Sequence, residues 1–334
     1  MRIAVRLTAL AAAAGIVSGG LTACTSHGAS PGGQSLPAVI GQQGRSPSLS
    51  PSPGASKPAN QTVRVPSAPQ KIAAKGGALA DAANMRLLWS RELDTERPIG
   101  SITKVMTALV VIRTENLNRQ VRIPKAVLHY VAKYQGESAG LHPGDLMTTH
   151  QLLEALLLES ACDAAYVLAT TYGPGMSAFL AKMNATARQL GMLHTHFTSP
   201  DGLPYPNEYA TYSTPADLLT LGTAAMKLPA FRAIVAQRFY VVRKKLGHNH
   251  AYWWGNTNEL IGTYSGAIGI KTGYTNAAKH CLLFEAVRHD TKLIGVVLGS
   301  PPTGPWAAAQ AAARLLNWGF GLKLTPSGSV VASG

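Results

Sequence analysis

The spacing of apolar and polar positions changes character along the chain, and from about residue 68 it sorts into recognisable elements. Residues 76–93, "GGALADAANMRLLWSREL", hold two short apolar runs around a polar centre at Asp81–Asn84, the pattern of a β-hairpin. "RPIGSITKVMTALVV" (97–111) opens an apolar helix that the pattern carries from Ser101 to about Thr114. "PGDLMTTHQLLEALLLES" sets Leu152, Leu153, Leu156 and Leu157 on one side of a helix ending near Glu159. "DAAYVLATTYG" predicts a helix from Asp163 to Gly173, and "MSAFLAKMNATARQLG" one closed by Gly191. "STPADLLTLGTAAMKL" predicts another, capped by Ser213 or Thr214, with Pro215 in its first turn. Beyond it the period shortens: "FYVVRKK", "GAIGIKTGY", "HCLLFEAVRH" and "TKLIGVVLGS" are β-rich, with a turn at His289–Asp290. "PWAAAQAAARLLNWG" closes the domain as a helix. Strands at both ends with helices between them imply an α+β sheet domain carrying a helical insertion at about 115–230.

The ends do not share these patterns. Residues 1–24 begin with Arg2 and Arg6, continue as a short apolar run and finish with small residues, as a secretory signal does. "LTAC" (Leu21–Cys24) resembles a bacterial lipobox, which implies cleavage before Cys24 and lipid attachment to it; the plainer alternative is an ordinary signal that contains a cysteine. Residues 25–67 are rich in Ser, Pro and Gly and read as a disordered tether, leaving 68–325 as the folded domain and 326–334 as a tail. Lys and Arg outnumber Asp and Glu 30 to 16, a formal charge of +14. In an exported protein that excess suits an anionic phospholipid or wall surface, and nucleic acid is not expected. Cys162 and Cys281 could pair, but two cysteines are not a disulfide framework.

Ser101 and Lys104 lie one helical turn apart, so a hydroxyl and an amine share a face. Serine needs a base to become a nucleophile, and a helix N-terminus offers N–H groups to a developing oxyanion. Alone, the spacing equally describes a serine-capped core helix. "GIKTGYT" (269–275) adds Lys271 and Gly273 on one face of a strand, a cation for a carboxylate beside a position without a side chain, where a substrate backbone could lie. "LLLESACDAA" places Ser160 between two helices. His194-x-His196 and His248-x-His250 lack a third ligand in pattern, and no metal or cofactor is expected. Trp253 and Trp254 read as packing or cleft rim.

Ser-x-x-Lys, then Ser-x-x, then Lys-Thr-Gly in that order resembles the penicillin-recognising serine enzymes. The chain is similar to the serine-type D-alanyl-D-alanine carboxypeptidases, the low-molecular-mass penicillin-binding proteins, also through "SPDGLPYPNEYATYSTPADLLTL" and "NTNELIGTYSGAIGIKTGYT". The resemblance implies a β-lactamase/DD-peptidase-like fold, with an antiparallel sheet flanked by helices plus an all-helical subdomain. It implies Ser101 as the nucleophile acylated by the penultimate D-alanine, Lys104 as its base, and Ser160 as the proton relay to the leaving D-alanine. Lys271 and Thr272 would hold the terminal carboxylate, and the N–H groups of Ser101 and Tyr274 the oxyanion, with Gly273 between them. The partners implied are peptidoglycan stem peptides ending in D-Ala-D-Ala, β-lactams as inhibitors, and the outer face of the cytoplasmic membrane through lipid on Cys24. The sequence departs from the family where Cys162 stands for the usual Asn of the second motif, Asp201 for a His, and "AAKHCL" for a more Gly-rich stretch. The family's C-terminal β domain and amphipathic helix are not expected. A DD-transpeptidase, a related β-lactamase and a non-catalytic wall- or β-lactam-binding homologue are the alternatives. The β-lactamase would need an E-x-x-L-N glutamate, and neither Glu208 nor Glu259 lies in that pattern.

Overall fold

In chain order the elements are β1 (Gly76–Asp81), β2 (Leu87–Arg91), β3 (Arg97–Pro98), a 3₁₀ turn (Gly100–Thr103) that runs into α1 (Lys104–Ile112), β4 (Gln120–Arg122), α2 (Ala126–Tyr134) and β5 (Leu146–Thr148). Next come α3 (Thr149–Leu157), α4 (Cys162–Tyr172), α5 (Met176–Gln189), β6 (Tyr212–Ser213), α6 (Pro215–Met226) and α7 (Pro229–Val235). The chain then forms β7 (Phe239–Val242), β8 (Tyr252–Gly255), β9 (Ala267–Gly273), β10 (His280–Arg288), β11 (Thr291–Ser300) and α8 (Ala307–Phe320), with a last short pair, β12 (Lys323–Leu324) and β13 (Val330–Val331). This computed structural model describes residues 67–114, 116–301, 304, 306–324 and 330–331. The expected leader at 1–24 with Cys24, nearly all of the tether and most of the tail lie outside the described residues.

Five strands make one antiparallel sheet in the order β2-β1-β11-β10-β9, so the first hairpin joins strands from the far end of the sequence. Successive side chains leave a strand on opposite faces. Leu79, Leu282, Phe284, Leu293 and Val297 pack with Leu315 and Leu316 of α8 on one face. Ala78, Ala80, Leu283, Ile294 and Val296 join the larger core that includes α1 and α6 on the other. With both faces covered, the central strands carry continuous apolar runs instead of an in/out alternation.

α1 is buried from Lys104 to Val111 because α3, α4, α5 and α6 all pack against it. It is the seam between the sheet and the helical part of the chain. Local chemistry sets the helix starts. Thr148 accepts from the N–H of Gln151 while the Gln151 side chain accepts from the Thr148 N–H, a reciprocal cap for α3. Thr214, not Ser213, caps α6 by accepting from the Asp217 N–H, with Pro215 in the first turn. α1 and α3 each end two residues earlier than the periodicity indicates, at Ile112 and Leu157, and α4 begins at Cys162. The helical part also holds α2, α7 and the short β4–β5 and β3–β6 pairs, which the sequence pattern does not reveal. Among the described residues no single helix is long and apolar enough to cross a membrane.

Candidate active site

The cleft has three walls: the 3₁₀ turn before α1, the α3–α4 junction, and the edge strand β9. Together they line a cavity of about 290 Å³ containing Ser101, Ser160, Thr257, Thr272, Gly273 and Tyr274.

On the first wall Ser101 does not cap the helix. Neither the 3₁₀ turn nor α1 has a side-chain cap. The Ser101 hydroxyl instead accepts a hydrogen bond of 2.8 Å from Lys104 Nζ. The capped-core reading of this turn therefore fails for Ser101, although Val105 to Val111 are indeed core. Lys104 is fully buried and donates twice more, to the Asp201 carbonyl at 2.9 Å and to Cys162 Sγ at 3.5 Å. A hydroxyl, a carbonyl and a thiol are neutral partners, so no carboxylate pairs with the Lys104 nitrogen among the described residues. Thr107 Oγ1 donates to the Pro200 carbonyl at 2.5 Å, and the 199–203 loop is thereby pinned along α1. Gly202, at φ +83°, touches Gly100 so closely that a Cβ would lie 2.0 Å from the Gly100 carbonyl oxygen.

The second wall is made where α3 stops and α4 starts. Ser160 sits at φ +62°, a left-handed conformation costing on the order of 1 kcal/mol or more for a residue with a Cβ. It is buried at the cleft, and among the described residues its hydroxyl joins neither lysine. Two residues on, the Cys162 N–H donates to the Glu137 carbonyl at 2.7 Å. The buried Asp163 carboxylate accepts from Ser138 Oγ and from the Ala139 and Leu141 N–H groups. These bonds fold residues 137–141 over the start of α4. Gly136 lies against Cys162, where a Cβ would come within 2.8 Å of Sγ. Burial pushes the Cys162 thiol up to about 12, against the opposing pull of Lys104. A buried thiol of that acidity stays protonated at neutral pH and is not a nucleophile. Cys162 and Cys281 are both free.

On the third wall, Lys271 is buried at the edge of the sheet. Its ammonium reaches Thr272 O and Thr272 Oγ1 at 3.2 Å and Thr257 Oγ1 at 3.5 Å. Thr257 and Thr272 share a hydroxyl–hydroxyl bond of 2.8 Å. Burial, reinforced by the nearby Lys104, lowers Lys271 to about 7. Gly273 has a use beyond the one its position in the strand suggests. A Cβ there would lie 2.4 Å from the Ile99 carbonyl oxygen and 3.1 Å from the Ile102 nitrogen. The missing side chain makes room for the nucleophile's own turn, and Gly273 also lines the cleft. A Cβ on Gly100 would likewise lie 2.9 Å from the Tyr274 nitrogen, so the backbone of Ser101's neighbour and that of Tyr274 are in near contact. This brings together the two backbone segments expected to form an oxyanion site.

The sequence pattern marks Asp201 only as a departure from the family and gives no sign of Tyr130 or Glu137 at the cleft. The Asp201 carboxylate is buried, accepting from the Leu203 N–H and, at 2.7 Å, from the Tyr130 hydroxyl on α2. Burial first, and then Asp201, raises the Tyr130 phenol. The departure from His at Asp201 was the available signal, but its partner on α2 was not. Glu137, Glu159 and Glu259 also line the cleft, and burial raises Glu259. Glu159 Oε2 accepts from the Gly255 N–H. Away from the cleft, His250 Nδ1 stands 2.9 Å from Asp145 Oδ1 and its ring stacks on His142. His194 Nδ1 lies 3.5 Å from Glu96. The tryptophans separate: Trp254 is buried and donates to the Ala139 carbonyl, while Trp253 is exposed.

A serine within hydrogen-bond reach of a buried lysine, facing a second serine and a second lysine across a cleft, is the arrangement of a serine acyl-transfer enzyme of the penicillin-recognising kind. The sequence profile of the D-alanyl-D-alanine carboxypeptidases matches residues 61–302. A D-alanyl-D-alanine carboxypeptidase of Streptomyces sp. strain K15 is 42% identical over 75% of this chain and 88% of its own length. D-alanyl-D-alanine carboxypeptidase DacB2 of Mycobacterium tuberculosis is 36% identical over 80% and 88%. The crystal structure of the Streptomyces K15 DD-transpeptidase superposes with a TM-score of 0.73 at 41% identity, covering 77% of this chain and all of that one. The chain belongs to the D-alanyl-D-alanine carboxypeptidase family. Solved variants of the K15 enzyme replace a serine and, two positions later, a cysteine, which is the spacing of Ser160 and Cys162.

Proposed function

We propose that this chain is a serine DD-peptidase that forms an acyl-enzyme from stem peptides ending in D-Ala-D-Ala. The observation that carries the reading is the 2.8 Å bond between Lys104 Nζ and Ser101 Oγ at the floor of the cleft. In its neutral amine form Lys104 turns a lone pair to Ser101 and takes the hydroxyl proton as Oγ attacks the penultimate carbonyl. The tetrahedral oxyanion lies between the Ser101 and Tyr274 N–H groups. The C–N bond then breaks, and the proton passes by way of Ser160 to the amine of the departing D-alanine. Lys271 and Thr272 receive the terminal carboxylate, with Thr257 orienting Thr272. Water, or an amine of a second stem peptide, then displaces Ser101 from the ester. A β-lactam presents a similar amide beside a similar carboxylate and acylates the same oxygen. The likeness to a DD-transpeptidase favours testing the amine route alongside hydrolysis.

The proposal extends to location. Arg2, Arg6, the apolar run and the Leu21–Cys24 ending support export, cleavage and lipid attachment at Cys24, which would tether the domain to the outer face of the cytoplasmic membrane. Incorporation of labelled fatty acid that disappears in Cys24→Ser is the expected result, and unchanged incorporation contradicts it. The catalytic reading is tested by D-alanine release from a D-Ala-D-Ala-ended peptide, with and without an amine acceptor. Release without the amine marks a carboxypeptidase, and a cross-linked product with it marks a transpeptidase. Neither product, with protein that still unfolds cooperatively, would refute both.

A further inference from the structure

The β7–β8 hairpin carries chemistry that the acyl-transfer site does not use. Its register pairs Val241 with Trp253 and Tyr240 with Trp254. Tyr252, Trp254 and Val242 therefore face the core. Phe239, Val241 and Trp253 face outward and are 53%, 49% and 65% exposed, and Leu246 at the tip is 89% exposed. The Phe239 and Trp253 rings stack with centroids 6.2 Å apart, forming one apolar face. No other stretch of similar length among the described residues holds as many exposed large hydrophobic side chains. At the tip, Arg243, Lys244 and Lys245 are exposed and make no ion pair among the described residues. Residues 236–255 contain no Asp or Glu. Lys245 also borders a cavity of about 450 Å³.

We propose that this hairpin docks the domain onto an anionic lipid surface, a role independent of the acyl-transfer reading. Aromatic rings sit at the boundary of headgroups and acyl chains, and long cationic side chains reach phosphates from an apolar base. The hairpin has both, and its uncompensated positive charge complements the lipid. A four-residue strand spans roughly 13 Å, more than the depth such an element enters. The root of the hairpin is fastened to the cleft. Gly255 N–H donates to Glu159 at 3.0 Å, Thr257 N–H to the Leu158 carbonyl at 3.1 Å, and the Trp254 ring N–H to the Ala139 carbonyl at 3.1 Å. Docking therefore sets the height and tilt of the catalytic cleft over the membrane.

The test uses the full chain with vesicles containing phosphatidylglycerol and acyl chains brominated as quenchers of tryptophan emission. Trp253 is read as the difference between the parent chain and Trp253→Phe, so attachment by another segment does not mimic the signal. The expected result is quenching that Trp253→Phe loses. Replacing Arg243, Lys244 and Lys245 together by Glu should weaken the Trp253-specific signal about 100-fold in lipid concentration. Equal quenching in parent and Trp253→Phe overturns the proposal, as does equal quenching with phosphatidylcholine alone. Shielding of Trp253 from an aqueous quencher by soluble glycan strands, with none by vesicles, also overturns it and assigns the face to wall polymer.

Discussion

Lys104 and Lys271 are both buried, both border the same cleft and both lack a carboxylate partner among the described residues, yet their surroundings differ in kind. Lys104 rises from a helix and is held by bonds of 2.8 and 2.9 Å to Ser101 and to the Asp201 carbonyl, with the Cys162 thiol beside it. Its nitrogen has one position, and that position serves Ser101. Lys271 rises from an edge strand and has only longer contacts, 3.2 to 3.5 Å, to hydroxyls and its neighbour's carbonyl. Burial, reinforced by the nearby Lys104, is what lowers it to about 7, and an arriving carboxylate is the group that would stabilise its charge. The first lysine is built to hold geometry and the second to bind an anion. The difference is readable only when the acceptors around each are known.

Variants that separate the two lysines should show different kinetic signatures. Ser101→Ala removes the nucleophile that Lys104 serves and should lower D-alanine release by at least about 10⁴-fold with substrate binding retained. Lys104→Ala should lower the acylation rate by about 10³-fold, measured as the rate of penicillin labelling, since a positioned base contributes on that scale. A thermal melt distinguishes that loss from unfolding. Lys271→Ala should act mainly on KM for the peptide, raising it about 100-fold through loss of a charge-assisted contact to the carboxylate. A large fall in kcat with KM unchanged would contradict the division of labour.

The pH profile sharpens the same comparison. Lys271 loses its charge as pH rises through about 7, so kcat/KM should fall on that alkaline side and Lys271→Arg should flatten the fall. Stability should move the other way. From about 7 toward 10.5 the unfolded chain keeps a proton that the folded chain has released, so folding becomes more favourable as pH increases. The smallest effect belongs to Cys162→Asn. Gly136 packs against the Cys162 side chain and the site is buried, so the larger side chain should cost about 1–3 kcal/mol of stability, while activity changes by less than about tenfold.

What the sequence discloses about this molecule follows from the range of the interactions concerned. The helix periodicities, the C-terminal strands and the motif serines and lysines are local or ordered along the chain, and each falls where the structure has it as an element or a cleft residue. The pairing of Gly76–Asp81 with Thr291–Ser300 spans most of the domain and leaves no local mark. Tyr130 and Asp201 meet across 71 residues, and Glu137 meets Cys162 where the Asp163 bonds hold residues 138–141 over the start of α4. Gly273 is the instructive case. Its place in Lys-Thr-Gly suggests space for substrate, and the packing shows that its missing Cβ also admits the Ser101 turn. Short strands such as β4, β5 and β8 are too brief to show a period of two above the surrounding composition.

The central claim is that Ser101 is the oxygen acylated in this cleft. Intact-protein mass spectrometry after exposure to benzylpenicillin, followed by peptide mapping, tests it directly. A single adduct of the intact antibiotic's mass on the peptide containing Ser101, absent in Ser101→Ala, is the predicted result. An adduct that persists undiminished in Ser101→Ala, or that maps to Ser160 or Cys162, would contradict it.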